Sequence, residues 1–237
     1  MNRSLDKLAK KEPRLIVGIE TGNTPGRLGA VVVGVSGSGD NTVLDIHGFK
    51  NYTLPAELVS TLHTLAGRDD FDPEEIAGIN FLIYHHLTAL YEDTLEEVGV
   101  PAEEVDLIGL KCIEIGGRIF PDDPSVFSEM TGCIVASRFS IGIENHAGDQ
   151  LHVNESLLRR MMGSMMERFE LDGEVREAAA VALLANEALF HENSEECIGT
   201  QSGTSSAARP TVRAVKRTGA AVGEEGACLY GEFFFPA

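Results

Sequence analysis

The segment Leu15-Ile16-Val17-Gly18-Ile19-Glu20-Thr21-Gly22-Asn23-Thr24-Pro25-Gly26 decides how the chain is read. Leu15–Ile19 is an apolar, strand-like run, and the glycine-punctuated residues after it have the form of a phosphate-binding loop that follows a strand. Gly29–Val35, with its consecutive valines, supplies a second strand. Ser36-Gly37-Ser38-Gly39-Asp40-Asn41 is a turn cluster, and Thr42–Phe49 alternates apolar and polar side chains. The three runs predict an antiparallel meander whose second connection is a hairpin loop of about six residues.

Helical signals follow. Pro55–Ala66 predicts a short helix. Asp72-Pro73-Glu74-Glu75 provides an N-cap, a proline at the first helical position and an acid three residues past the cap. Ile76, Ile79, Ile83, Leu87, Leu90 and Val98 then recur at near-helical spacing; Gly99 supplies the stop and Pro101 prevents continuation. Of His85 and His86 in this helix, one is expected on the core side and the other in solvent.

Val105–Cys112 reads as a parallel strand, Asp123-Pro124 opens a short helix that Gly132 ends, and Cys133–Ala136 reads as a last short strand. Leu157–Phe169 is helical and carries Met161, Met162, Met165 and Met166, which suit core filling, the cover of an apolar pocket or a dimer seam. Ala178–Ala185 is eight apolar residues in a row, mostly alanine, as a helix buried against a sheet with close backbone approach requires. Past Gly199 the chain reads as loop, ending in Phe233-Phe234-Phe235. The order is three antiparallel strands, helix, strand, helix, strand, helix. It predicts an α/β fold of the ribonuclease-H-like layout, a single lobe with a mixed five-stranded sheet and helices packed on it. Residues 1–13 are expected to be a flexible tail and 14–212 the lobe. Residues 213–237 are expected to be an extension packing on the lobe or on a partner subunit.

Composition narrows the function. Of 237 residues, 43% are apolar, ample for a core. The net charge of −18, from 19 basic against 37 acidic side chains, repels phosphate backbones and anionic lipid, so neither nucleic acid nor a membrane surface is expected as a partner. No apolar run approaches the roughly 20 residues that span a bilayer. Met1–Glu12 is polar and basic without an apolar stretch, which does not read as a secretory signal, and a cytoplasmic location is expected. Cys112, Cys133, Cys197 and Cys228 are scattered with no CxxC pair, so no metal or dithiol site is expected, and Cys112 and Cys133 read as buried thiols.

Several stretches resemble the anhydro-N-acetylmuramic acid kinase family. Asp123-Pro124-Ser125-Val126-Phe127-Ser128-Glu129-Met130-Thr131-Gly132 is similar to its Asp-Pro-Ala-Val-x-Ala-Glu-x-Thr-Gly segment. Asp172-Gly173-Glu174-Val175-Arg176-Glu177-Ala178 resembles the entry to the family's C-terminal buried helix. Gly203–Val212 resembles its closing loop, and Gly18–Ala30 its phosphate-loop pattern. The resemblance implies a lobe of the sugar-kinase and actin type. It also shows what has changed. The family's two loop aspartates fall on Gly26 and Gly29, its Ser-Gly-Thr-Ser on Thr21-Gly22-Asn23-Thr24, and its His-Gly-Gln-Thr near Lys111-Cys112-Ile113-Glu114. The family's water-activating aspartate falls on Gly142, with Glu144, Asn145 and His146 close after. Where the family would enter its nucleotide-binding lobe beyond Gly148, this chain passes directly to its C-terminal helices.

Phosphoryl transfer needs metal ligands, a base and a closed cleft. A retained sugar lobe with altered chemistry is therefore the reading: a cofactor-free acid–base enzyme of cyclase, isomerase, lyase or hydrolase type on a small organic molecule, assembled as a homodimer. Its alternatives are a non-catalytic scaffold or pseudokinase and a divergent ATP-dependent sugar kinase. Glu20 ends the first strand where the family keeps an apolar residue; buried, it would serve as acid or base. Lys111 and Glu114 follow the parallel strand at the edge where open α/β sheets place ligands. Glu144 and His146 occupy the displaced base region. These five are the catalytic candidates. Thr21, Asn23, Thr24 and Arg118 are the substrate-binding candidates, and no residue is assigned to a metal. The bland rivals are a solvated loop acid for Glu20, an ion pair for Lys111 and Glu114, and surface side chains for His146 and Arg118.

Overall fold

The computed structural model describes residues 3–21, 26–66, 68, 72–115, 118–121, 123–143, 152–153, 155–171, 173, 175–190, 217–221 and 227–236. After α1 (Arg3–Lys10) come three strands, β1 (Arg14–Thr21), β2 (Arg27–Ser36) and β3 (Val43–Thr53). They pair antiparallel as the alternation predicts, with a bulge between Val32 and Val33. Helices α2 (Ala56–Ala66) and α3 (Pro73–Val98) follow, then β4 (Leu107–Leu110), which pairs in parallel with β1. A separate antiparallel hairpin, β5 (Ile113–Ile115) and β6 (Arg118–Phe120), precedes α4 (Pro124–Thr131). The remaining elements are β7 (Val135–Ile143), β8 (His152–Val153), α5 (Glu155–Arg168), α6 (Val175–Phe190), β9 (Arg217–Ala221) and β10 (Ala227–Phe234). The main sheet runs β3-β2-β1-β4-β7-β10-β9, with β8 attached to β7.

Local chemistry starts and stops the helices as read. The Asp72 carboxylate accepts from the Glu74 backbone N–H at 2.9 Å, and Gly99 closes α3 in the left-handed conformation at φ 69°. Asp123 caps α4 in the same way, and Gly132 ends it. Strand alternation divides the core in two. Val17, Ile19, Val32, Ile108 and Leu110 face α2, α3 and α4. Ile16, Val31, Val33 and Leu107 face α1 and α6.

On the second face α6 meets the sheet backbone to backbone. Gly18 of β1 and Gly109 of β4 lie under it. A Cβ on Gly109 would lie 2.7 Å from the Val181 carbonyl oxygen and 3.0 Å from the Ala185 methyl. One on Gly18 would strike the Ala178 carbonyl oxygen and lie 2.9 Å from the Ala182 methyl. Ala188 continues this seam to Gly231 of β10. The alanine run expected to permit close approach does so, and the glycines opposite it are its complement. The methionines of α5 pack on the outer side of α6, where Met162 is buried against Ala180, Val181 and Leu184.

A polar clamp holds the opposite end of α6. The buried guanidinium of Arg14 donates to Asn186 Oδ1 at 2.8 Å and to the carbonyls of Lys11 and Gly37, both at 2.7 Å. The Glu187 carboxylate accepts from the Gly39 N–H and from Thr42 Oγ1, each at 3.0 Å. The β2–β3 turn is thereby tied to the helix.

Four expectations are corrected. Residues 3–10, expected within a flexible tail, form α1, because Leu5 and Leu8 stand one helical turn apart and both bury in the core. The sheet exceeds five strands, because β7 runs on past Ala136 and β10 pairs with it through a register shift beside Arg138, a residue at φ 52°. The C-terminal aromatic run is strand rather than loop up to Phe234: Phe233 buries on the α6 face and Phe234 on the α3 face. Cys133 is buried, as read, but Cys112 is only half-buried.

The seam gives a direct test. Gly109→Ala and Gly18→Ala should each destabilise the fold by about 1–3 kcal/mol through overpacking. Gly78→Ala, on α3 with nothing within 4 Å of the added methyl, should stabilise it by up to about 1 kcal/mol. Urea denaturation of the three variants measures both signs.

Candidate functional site

Glu20 belongs to the same face of β1 as Ile16 and Gly18, and so it lies toward α6. Its register partner on β2 is Gly29, which contributes no side chain. The close seam at Gly18 brings the first turn of α6, with Glu177, over the end of the strand. Glu20 is 9% exposed, and its carboxyl hydrogen-bonds that of Glu177.

Lys111 follows β4 directly, and its backbone is held to β1 on both sides. Its N–H donates to the Ile19 carbonyl at 2.9 Å, and its carbonyl accepts from Thr21 Oγ1 at 3.0 Å. Its ammonium stands 3.8 Å from Glu177 Oε2. On the far side of β4, Ser137 Oγ donates to the Leu110 carbonyl at 2.8 Å and meets Cys112 Sγ at 3.5 Å, which secures the β4–β7 edge.

Burial and the adjacent Glu177 carboxylate push the Glu20 carboxyl up to about 7, against a smaller downward pull from Lys111. Two carboxyls in contact cannot both ionise cheaply, so one proton is held between them. Glu177 lies in the first turn of α6, with Lys111 beside it, and it is Glu20 whose ionisation the pair opposes. Glu20 is therefore the proton carrier. Its Oε2 is buried, and beside the Glu177 carboxyl no N–H or O–H donor of the described residues reaches it.

Three of the expected site residues, Glu20, Thr21 and Lys111, are brought together at the carboxyl end of the parallel pair β1 and β4. Glu114 and Arg118 lie on the β5–β6 hairpin, in register with Ile119 and Ile115 respectively. Asn23, Thr24, Glu144 and His146 lie outside the described residues. Sequence reasoning missed Glu177. Its signal was an acid immediately before the buried alanine run, a place where a charge finds no solvent on the inner side of the helix. His85 is exposed and His86 half-buried, its Nδ1 2.7 Å from the Tyr52 hydroxyl; burial holds His86 below the usual histidine range. Among the described residues, no group of three or more His, Cys, Asp or Glu is placed to hold a metal ion, and no helix is long and apolar enough to cross a membrane.

No protein-family model matches the chain. Among curated proteins, an anhydro-N-acetylmuramic acid kinase of Caldanaerobacter subterraneus subsp. tengcongensis is 25% identical over 160 residues, covering 60% of this chain and 39% of the kinase. The chain thus spans about two fifths of the length of that relative, and the similarity is a distant link to a sugar-kinase family.

The carboxyl pair predicts its own titration. Glu20 should lose its proton near pH 7. Glu177→Gln should lower that midpoint and Lys111→Ala should raise it, read from the side-chain carboxyl carbon by NMR. The linkage has a definite sign. The unfolded carboxyl ionises near 4.5 and the folded one near 7, so the wild type should lose about 3 kcal/mol of stability as pH rises through that window. Glu20→Gln should lack this slope in denaturation measured from pH 4 to pH 8.

Proposed function

We propose that the chain is a small-molecule enzyme that works by acid–base chemistry at the carboxyl end of β1 and β4. Its scaffold would be a ribonuclease-H-like lobe of sugar-kinase descent. The observation that carries this reading is the Glu20–Glu177 carboxyl pair with Lys111 beside it. A carboxyl whose proton is exchangeable near neutrality suits general acid and general base steps alike, and such groups concentrate at functional sites. The roles follow from the surroundings. Glu20 carries the proton, Glu177 beside it holds that proton in place, and Lys111 stabilises negative charge that develops on the substrate. Thr21 positions Lys111 through its carbonyl. The reaction belongs with cyclisation, isomerisation, elimination or hydrolysis, and needs no cofactor. Glu114, Glu144 and His146 remain proposed catalytic groups, Asn23, Thr24 and Arg118 proposed substrate-binding groups, and a homodimer remains the expected assembly.

A kinase is the second reading, favoured by the 25% identity to the Caldanaerobacter enzyme. Against it stand Gly26, Gly29 and Gly142, since the resemblance puts glycines where that family keeps its aspartates, and glycine has no carboxylate to hold a metal or take a proton.

Untargeted mass spectrometry of small molecules that co-purify with the folded chain should identify a substrate-class compound that the protein converts. With that compound, Glu20→Gln should lower kcat by about 10²–10⁴-fold. Unchanged turnover in Glu20→Gln removes the acid–base reading. A thermal shift with millimolar Mg-ATP, together with none from the co-purified compound, would favour the kinase.

A further inference from the structure

We propose that the outer edge of β3 is a homodimer interface, where a second copy of the chain adds its own β3 antiparallel across a two-fold axis at the bulge. The inference stands apart from the acid–base site and gives the expected homodimer its surface. Among the described residues β3 ends the sheet, so the 11 residues Val43–Thr53 present a row of backbone N–H and C=O groups with no strand beside them. Val43 and Ile46 on this strand are 63% and 41% exposed.

The bulge decides which way each side chain faces. Val32 pairs with Gly48 and Val33 with Ile46, so His47 is the extra residue. Gly48, Lys50 and Tyr52 stand opposite Val32, Ala30 and Leu28, on the α3 side of the sheet. A Cβ on Gly48 would strike Val98 of α3, and the Lys50 ammonium lies 3.6 Å from both Asp93 and Glu97 of the same helix. Past His47 the alternation is reversed. Asp45 and Val43 stand opposite Gly34 and Ser36, again on the α3 side. Ile46 and Leu44, opposite Val33 and Val35, share the other side with Phe49, opposite Val31.

In a regular strand, residues an odd number of positions apart face opposite sides, so Asp45 and Lys50 could not oppose each other on one face. The bulge lifts that bar and makes the strand complementary to itself in one antiparallel register. Asp45 of each copy meets Lys50 of the other on the α3 side. Ile46 meets Phe49 on the opposite side, and Val43 meets Tyr52. At the axis His47 meets Gly48, which has no side chain to obstruct the bulged corner. A bulge ordinarily blunts an edge against pairing; here it brings opposite charges together twice. A strand from another protein would have to supply this order of acid, apolar residue, glycine and base, whereas a second copy supplies it by symmetry.

Sedimentation velocity on the full chain from about 1 to 100 µM, in about 0.15 M salt to screen the net charge of −18, tests the proposal. The wild type should be dimeric at the upper end. Asp45→Lys and Ile46→Lys change exposed side chains and should each weaken the dimer about tenfold or more, since the two-fold axis doubles every lost pair. Lys50→Glu should weaken it as well, with circular dichroism checking that this variant folds without its contacts to Asp93 and Glu97. An equimolar mixture of Asp45→Lys and Lys50→Glu should dimerise again, because both cross-strand pairs are then of opposite charge. Wild-type monomers at every concentration, a dimer that Asp45→Lys and Ile46→Lys leave unchanged, or a mixture of folded variants that stays monomeric overturns the proposal. The first of these also removes the expected homodimer, the other two remove this surface alone, and none bears on turnover in Glu20→Gln.

Discussion

The contact between α6 and the sheet backbone is the constraint on which the rest depends. Gly18 and Gly109 remove the side chains that would hold a helix off β1 and β4, and Ala178, Ala182 and Ala185 remove them from the helix. Without that approach the first turn of α6 would stand a side chain's width higher, and Glu177 would not reach Glu20. The site is thus a product of packing. A strand end supplies one carboxyl, a helix start supplies the other, and the glycine–alanine seam sets their separation.

The two ends of α6 handle buried charge in opposite ways. At the Asn186 end, the Arg14 guanidinium has donors directed to Asn186, Lys11 and Gly37, and Glu187 accepts from the Gly39 N–H and the Thr42 hydroxyl. Such a network stabilises the hairpin turn and offers nothing to a ligand. At the Glu177 end, two carboxyls meet, the buried Glu20 against Glu177, and the Lys111 ammonium stands 3.8 Å from Glu177. A buried carboxyl set against a second carboxyl, with a proton exchangeable near neutrality, is the kind of group that concentrates at functional sites.

Much of the scaffold was legible because local physics wrote it. Asp72-Pro73 and Asp123-Pro124 opened their helices, Gly99 and Gly132 closed them, and the consecutive valines of β2 read as a strand buried on both faces. The alanine run announced close approach. The missed elements depend on long-range partners. Strand β10 forms by pairing with β7 far away in sequence, and α1 is held by two leucines in an otherwise polar segment. The site divides in the same way. Glu20 and Lys111 were legible as strand-end residues at a sheet edge. Glu177 was not, because only the seam brings residue 177 to residue 20, and the sequence by itself shows just an acid at a helix start.

The seam also makes the pair portable. Side-chain packing drifts as sequences diverge, since cores accept many combinations of similar volume. A contact between a strand backbone and a helix backbone has no such latitude, because a glycine has nothing smaller to become. The proton affinity of Glu20 is therefore inherited with five small residues and two acids, whatever the surrounding loops turn into. Loops can be exchanged to admit a different molecule, and the acid that meets it stays the same strength.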